Sequence, residues 1–381
     1  APASVFVQGG YVILYTDFEG NAEGGSDIKW VHIDYRGRRR GGPQDITNQT
    51  DVTQDAPAIA YAPDQDQILM TWSDRSSGSW QIRGVRMDVT FNATVGTLDR
   101  TILDSTPIEI SDGTSGDQNR SRIAYNEDES EYLVVWSDSR SGNSGTDVFG
   151  SRITTAGVDL DTSDFRISDA AAPGSQSRPD VASDGTDYLV VWSDEQGGTG
   201  TPDVYGAIVT GAGSPGADFV VASAADSQSE PRTIYDFISD RYFVVWTDQR
   251  DIAVTGSDIR GRVVSTTGTL LLSEEILADS GDNESRPALA LVNNDKFLVS
   301  FVTGTDKDRL AGARTDLAGS LECSFDIATE PGRKDVPSVA APPGPYSDGI
   351  VSFVRFDQSS AYRSQRVRAR RIDVINGPCV P

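Results

Sequence analysis

Residues 132–152 read YLVVWSDSRSGNSGTDVFGSR, and the chain rewrites this stretch several times. It returns from Tyr188 as YLVVWSDEQGGTGTPDVYGA and from Tyr242 as YFVVWTDQRDIAVTGSDIRGR, with an earlier copy, ILMTWSDRSSGSWQIRGVR, from Ile68. Each copy is an apolar run ending in Trp-Ser/Thr-Asp, then a polar loop, then a second β-type run opening Asp/Gln-apolar-x-Gly. Such a unit is a hairpin, and hairpins repeated at a regular period indicate a repeat architecture.

Three landmarks align the copies. A Pro or its equivalent starts a short apolar run at Pro2, Pro57, Ser121, Pro179, Pro231, Pro287 and Pro337. The Trp run ends at Asp17, Asp74, Asp138, Asp194 and Asp248, with degenerate counterparts near Thr303 and Phe356. The glycine of the following run is Gly84, Gly150, Gly206, Gly261 and Gly312. Seven units follow, approximately 1–54, 55–119, 120–176, 177–229, 230–285, 286–335 and 336–381. In the third, strands are predicted over 122–125, 132–137, 147–154 and 164–168, separated by turn signals. A Pro at the first position of a strand need not donate to a ladder. Runs such as Leu133-Val-Val-Trp136 are apolar at every position, as in strands covered on both faces. The reading is a single-domain, all-β, seven-bladed β-propeller of four-stranded antiparallel blades.

The residues Trp136-Ser-Asp-Ser-Arg140 with Asp147-Val-Phe-Gly150, and Trp72-Ser-Asp-Arg75 with Gln81-Ile-Arg-Gly84, resemble the repeats of secreted bacterial β-propellers. The pattern is loosely similar to TolB-type, WD40-like repeats, in which an apolar strand ends in Ser-Asp-Arg-x-Gly before Asp-(Ile/Leu)-Tyr. It covers about five of the seven units and lacks the Gly-His and terminal Trp-Asp signature of WD40 proper. The resemblance implies a secreted or periplasmic propeller used for binding or assembly.

Composition narrows the partners. With 33 Lys+Arg against 57 Asp+Glu the net charge is −24, which argues against nucleic-acid binding. The bias to Asp and Arg suits an extracellular or salt-tolerant protein, or GC-rich codon usage combined with solubility. No run of 18 apolar residues predicts a membrane span. No signal-like segment precedes Ala1, which fits a processed, mature start. Two cysteines, Cys323 and Cys379, suggest one disulfide in a secreted protein.

On a propeller, the loops after the Trp strands share a face with the starts of the next blades. That expectation puts Asp74, Arg75, Asp138, Arg140, Asp194, Glu195, Asp248 and Arg250 on one rim, with Arg120, Arg178, Glu230 and Arg286 from the strand starts. The rim reads either as a polar-ligand or glycan site, or as Asp residues capping turns and Arg–Asp pairs between blades. The pairs Asp64/Asp66, Asp159/Asp161 and Asp306/Asp308 have spacing suited to Ca²⁺, although none continues as an EF-hand loop. No other cofactor is implied. His32, the chain's single histidine, has no visible partner for a triad or metal site. Ser79-Trp80 after Asp74 and Gly78 is similar to the sialidase Asp-box, but the Asp-to-Gly gap is too long and one blade alone carries it.

A basic sector breaks the acidic background. Arg36, Arg38, Arg39 and Arg40 cluster in the first unit, and Arg363, Arg366, Arg368, Arg370 and Arg371 in the last. Ring closure makes these units neighbours. Alternation puts Arg366, Arg368 and Arg370 on one strand face, either as a charged edge guarded against aggregation or as a socket for an anionic polysaccharide, a protein or another copy of the chain. The sequence thus predicts a secreted, non-enzymatic binding or assembly module, with a carbohydrate-active hydrolase or lyase using the acid/Arg rim, or a self-assembling extracellular subunit, as alternatives.

Overall fold

The computed structural model describes residues 2–373 apart from 19–24, 50–51, 93–96, 114–115, 141–144, 170–173, 196–199, 305, 331, 345–347 and 358–363. The protein is a seven-bladed β-propeller. The blades are antiparallel sheets in sequence order; six carry a run of four strands, and the seventh shows three among the described residues. The third blade comprises Gln118–Asn126, Glu131–Asp138, Asp147–Thr154 and Phe165–Arg166, so its first strand starts four residues before the predicted position.

The first strand of every blade lies innermost. These are Ala3–Val7, Gln54–Ala62, Gln118–Asn126, Gln176–Ser183, Gln228–Asp236, Ser285–Val292 and Lys334–Ala340, and each touches its neighbours around the axis. The ring closes between the first and last of them. Ser4 N–H donates to Ser338 Oγ at 3.0 Å, and the two hydroxyls lie 2.8 Å apart. Tyr11, Ile13, Ile33, Ala340 and Ile350 pack across the same seam.

The second strands account for the uninterrupted apolar runs. Glu131–Asp138 and Tyr188–Asp194 are buried at every position because a blade covers each face. Trp72, Trp136, Trp192 and Trp246 are at most 1% exposed. A buried indole N–H requires an acceptor, and the Asp two residues on supplies it. Trp136 Nε1 donates to Asp138 Oδ2 at 2.9 Å, with the same bond at Trp72, Trp192 and Trp246. This bond explains the Trp-x-Asp spacing. Cys323 is disulfide-bonded; Cys379 lies outside the described residues.

One buried carboxyl makes stability depend on pH. Glu131 starts the second strand of blade 3 and is 2% exposed. Burial pushes it up to about 7, against the opposing effects of Arg152 and the Tyr188 hydroxyl. A folded-state value raised above 4.5 means that the native state holds its proton longer than the unfolded chain does. Stability should therefore fall as pH rises from about 4.5 to about 7, by ~3 kcal/mol at most, and level off above. Asp164 and Asp218, which burial also raises, add to the same trend, so urea midpoints across that window should show a steeper slope in the native chain than in Glu131→Gln; equal slopes would contradict this assignment.

Candidate active site on the propeller axis

Six of the seven inner strands open with one tetrapeptide pattern. In chain order these are Gln54-Asp-Ala-Pro57, Gln118-Asn-Arg-Ser121, Gln176-Ser-Arg-Pro179, Gln228-Ser-Glu-Pro231, Glu284-Ser-Arg-Pro287 and Lys334-Asp-Val-Pro337. In every one the ladder register shifts, forming a bulge, and the third residue takes a left-handed backbone: Ala56, Arg120, Arg178, Glu230, Arg286 and Val336 have φ between 43° and 60°. Non-glycine residues seldom adopt this conformation, and each instance costs on the order of 1 kcal/mol or more. Bulges of this kind re-aim a side chain. Here they turn it toward the axis.

The preceding blade holds four of these residues in place. Arg120 N–H donates to Ser73 Oγ, Arg178 N–H to Ser137 Oγ and Glu230 N–H to Ser193 Oγ, all at 3.1 Å; Arg286 N–H donates to Thr247 Oγ1 at 3.2 Å. These acceptors are the middle residues of the Trp-Ser/Thr-Asp repeats. The motif therefore works in both directions, its Asp fixing the indole of its own blade and its Ser/Thr fixing the axial residue of the next.

Two tiers of charge result. Arg120, Arg178, Glu230 and Arg286 form the first; Arg122, Asp180 and Arg232, two residues further along their strands, form the second. The cavity between the inner strands measures about 250 Å³ and also meets Asp55 and Pro179. Glu230 pairs with Arg178 through Arg178 Nη1, accepts the Arg286 N–H at 3.0 Å, and lies 3.7 Å from Arg286 Nε. Burial would raise its carboxyl, but Arg178, Arg286 and Arg232 outweigh that and hold it below the usual carboxylate range. Arg286 also pairs with Asp335. Arg120, by contrast, has no ion pair among the described residues; burial and the neighbouring Arg178 lower its pKa.

In the second tier, Asp180 Oδ1 lies 3.4 Å from Arg122 Nε, and Oδ2 accepts Thr233 N–H at 2.9 Å. Burial raises the Asp180 carboxyl despite Arg232 and Arg122. Burial, with Arg232 adding, pulls the Arg122 guanidinium down to about 10, so it stays charged at neutral pH. Cations thus outnumber acids in both tiers of a chain whose net charge is −24.

The structure places the sequence-predicted rim residues apart from this cavity, except for the four from the strand starts, Arg120, Arg178, Glu230 and Arg286, which line it. Asp74, Asp138, Asp194 and Asp248 are at most 1% exposed, with their carboxylates turned to the indoles. Arg140 binds Asp138, Asp112 and Asp164, while Arg250 binds Asp248 and Glu274 at 2.7 Å. Arg75 is exposed and lies 5.8 Å from the centre of the Trp80 ring. Asp55, Arg122, Asp180 and Arg232 were absent from the sequence-based set. For the last three the signal was the i, i+2 spacing of charge in Arg120-Ser-Arg122, Arg178-Pro-Asp180 and Glu230-Pro-Arg232; Asp55 had none.

In the basic sector, Arg38 and Arg40 bind Asp34 at 3.0 and 2.8 Å, and Arg36 lies 5.2 Å from the centre of the Tyr35 ring. Arg370 pairs with Glu330 and Arg371 with Asp348. Arg39, Arg366 and Arg368 are exposed, and Arg363 lies outside the described residues. Among the described residues no group of three acidic, His or Cys side chains could hold a metal. Asp161 pairs with Arg152 and Asp159 accepts the Ser151 hydroxyl, while Asp66 accepts the Tyr61 hydroxyl at 2.8 Å. His32 is 3% exposed, and burial lowers its pKa.

No family model matches the chain, and no curated protein sequence matches it. Solved structures share its fold. An α-L-arabinanase from Penicillium chrysogenum, complexed with arabinobiose, superimposes with a TM-score of 0.56 at 13% identity over 84% of this chain and 92% of that one. A periplasmic gluconolactonase from Pseudomonas aeruginosa gives 0.54 at 15% over 98% and 97%. An α-L-arabinofuranosidase from Fusarium graminearum, bound to an iminosugar inhibitor, gives 0.55 at 12% over 84% and 92%. At these identities the likeness establishes the fold. It also corrects the expectation of a non-enzymatic binding or assembly module, which rested on the repeat alone, because these neighbours are propeller enzymes.

Proposed function

We propose that the protein is a secreted carbohydrate-active hydrolase that cleaves a glycoside bearing a carboxylate, with the axial cavity as its active site. The observation that carries this reading is Glu230. It occupies the position that blades 3, 4 and 6 fill with arginine, so it departs from the repeat where the chain's cations converge. Ala56 and Val336 leave the position uncharged in two other blades, whereas Glu230 reverses its charge, and an acid set among the cavity's arginines calls for a function.

Arg120, Arg178 and Arg286 hold the substrate carboxylate by charge-assisted hydrogen bonds, which suit planar guanidinium groups. Glycoside hydrolysis needs two carboxyls. One gives a proton to the departing oxygen; the other takes a proton from the attacking water or adds to the sugar itself. Glu230, ionised by its arginines, fits the second role. Asp55 stands three blades away on a ring of seven, hence on the facing wall, and takes the first. A Cys323–Cys379 bridge holding the end of the chain fits an extracellular setting.

Reducing-sugar release should be measured on polygalacturonate, alginate, hyaluronan and neutral arabinan. Release is expected from an acidic polymer. Arg120→Ala should weaken KM by about 10- to 100-fold, since a hydrogen bond to a charged group contributes ~1.5–3 kcal/mol, with little change in thermal stability because Arg120 gives up no ion pair. Cleavage confined to arabinan and indifferent to Arg120 would refute the proposal.

A further inference from the structure

Beside the axial cavity lies a second one of about 330 Å³, and the two share Asp55, Ala56 and Arg120 as a common wall. Its other lining includes Trp80, Asn119, Thr146 and Ser177. The chemistry differs sharply from the first: one aromatic plane, an amide and hydroxyls, with no charge besides the shared wall. Trp80 is half-buried, unlike the other five tryptophans, which are at most 3% exposed. Its position is fixed by its backbone. Trp80 N–H donates to Asp117 Oδ1 at 3.0 Å and its carbonyl accepts Gln118 N–H at 2.8 Å, tying it to the start of the next inner strand. The Asn119 amide and the Ser177 hydroxyl make no hydrogen bond among the described residues and stay open to a ligand.

We infer that this cavity is a subsite for the sugar ring next to the acidic one, so that the substrate is an oligosaccharide at least two units long. The inference rests on the axial-site reading above. A pyranose has one face of C–H groups and an edge of hydroxyls. The C–H face packs on an indole, which offers a large rigid surface with a negative π-face, while amide and hydroxyl groups satisfy the edge. The volume lies at the lower end of ligand sites, ~300–1,000 Å³, and matches one ring rather than a long chain. The linkage between the rings falls at the shared wall, beside Asp55, where the preceding section puts the proton donor. Asp55 Oδ1 accepts the Thr16 hydroxyl at 2.8 Å, which orients the carboxyl there. The adjoining ring can be neutral, because its own pocket adds no charge to the shared wall.

Acrylamide quenching of tryptophan fluorescence reads this subsite directly, since Trp80 is the tryptophan that quencher can reach. The probes are glucuronate, galacturonate and mannuronate, and a disaccharide carrying each at one end, titrated into the whole protein and into Trp80→Phe, Trp80→Ala and Asn119→Ala. A disaccharide should bind about tenfold or more tighter than its uronate and shield Trp80 from acrylamide. Trp80→Ala should remove that advantage without altering uronate affinity; Trp80→Phe should keep part of it. Uronates that bind as tightly as their disaccharides, with no shielding, overturn the subsite and leave the axial site standing. Absence of binding by every probe overturns both readings together.

Discussion

Glu230→Gln is expected to lower turnover on an acidic glycan by about two to four orders of magnitude, the usual contribution of a general base, while the fold survives. The amide keeps an acceptor for Arg286 N–H and the Thr247 hydroxyl. Arg286 retains Asp335, and the Arg178 side chain is 42% exposed to the water of the channel, so neither guanidinium is stranded in a dry interior. The pH profile adds a second check. The Glu230 carboxyl is held below its ordinary 4.5, so its ionised form, and whatever depends on it, should persist above that value and be lost only as pH falls through the depressed one. The acidic limb of kcat should therefore extend below pH ~4.5. A variant whose kcat stays within tenfold of the native enzyme's would remove Glu230 from the reaction.

Trp136→Ala should be the most destabilising single change among those considered, by about 3–5 kcal/mol. The indole is fully buried between blades, where Tyr132, Val134, Ile82 and Ile110 pack in the same cluster. Truncation opens a cavity that a closed ring cannot collapse to fill, and it withdraws the donor that reaches Asp138 Oδ2. Asp138 keeps the Arg140 N–H at 2.8 Å and its guanidinium, so the loss is mainly one of packing. Trp136→Phe should recover much of the stability. Urea midpoints with unchanged slope would measure both; a loss under 1 kcal/mol in the alanine variant would show that the blades do not depend on this contact.

These two residues illustrate what was legible beforehand. Trp136 could be read from the sequence because burial on both faces leaves a continuous apolar run, and seven such runs define a ring. The direction in which Asp138 points could not. An Asp at the end of a strand suits a solvent-facing rim as well as an inward hydrogen bond, and the choice is made by the indole two residues earlier. The axial set was hidden for another reason. Nothing in Gln228-Ser-Glu-Pro231 announces a left-handed bulge, although the Pro that cannot donate to the ladder marks where the register shifts. A change of charge in one copy, Glu where its siblings have Arg, was visible and was read as part of the rim. What assigned it to the axis was the backbone, not the composition.

The repeated bulge has one more consequence. Ala, Arg, Glu and Val all occupy the same backbone geometry at its third position, anchored in several blades by a hydroxyl from the blade before. The propeller thus behaves as a turret of interchangeable sockets: what each holds is independent of the frame that holds it. Ala56 and Val336 are sockets left without charge. Refitting them with arginine or glutamate would change the charge that the ring presents to a ligand through two single-residue edits, in a fold whose core would not register the exchange.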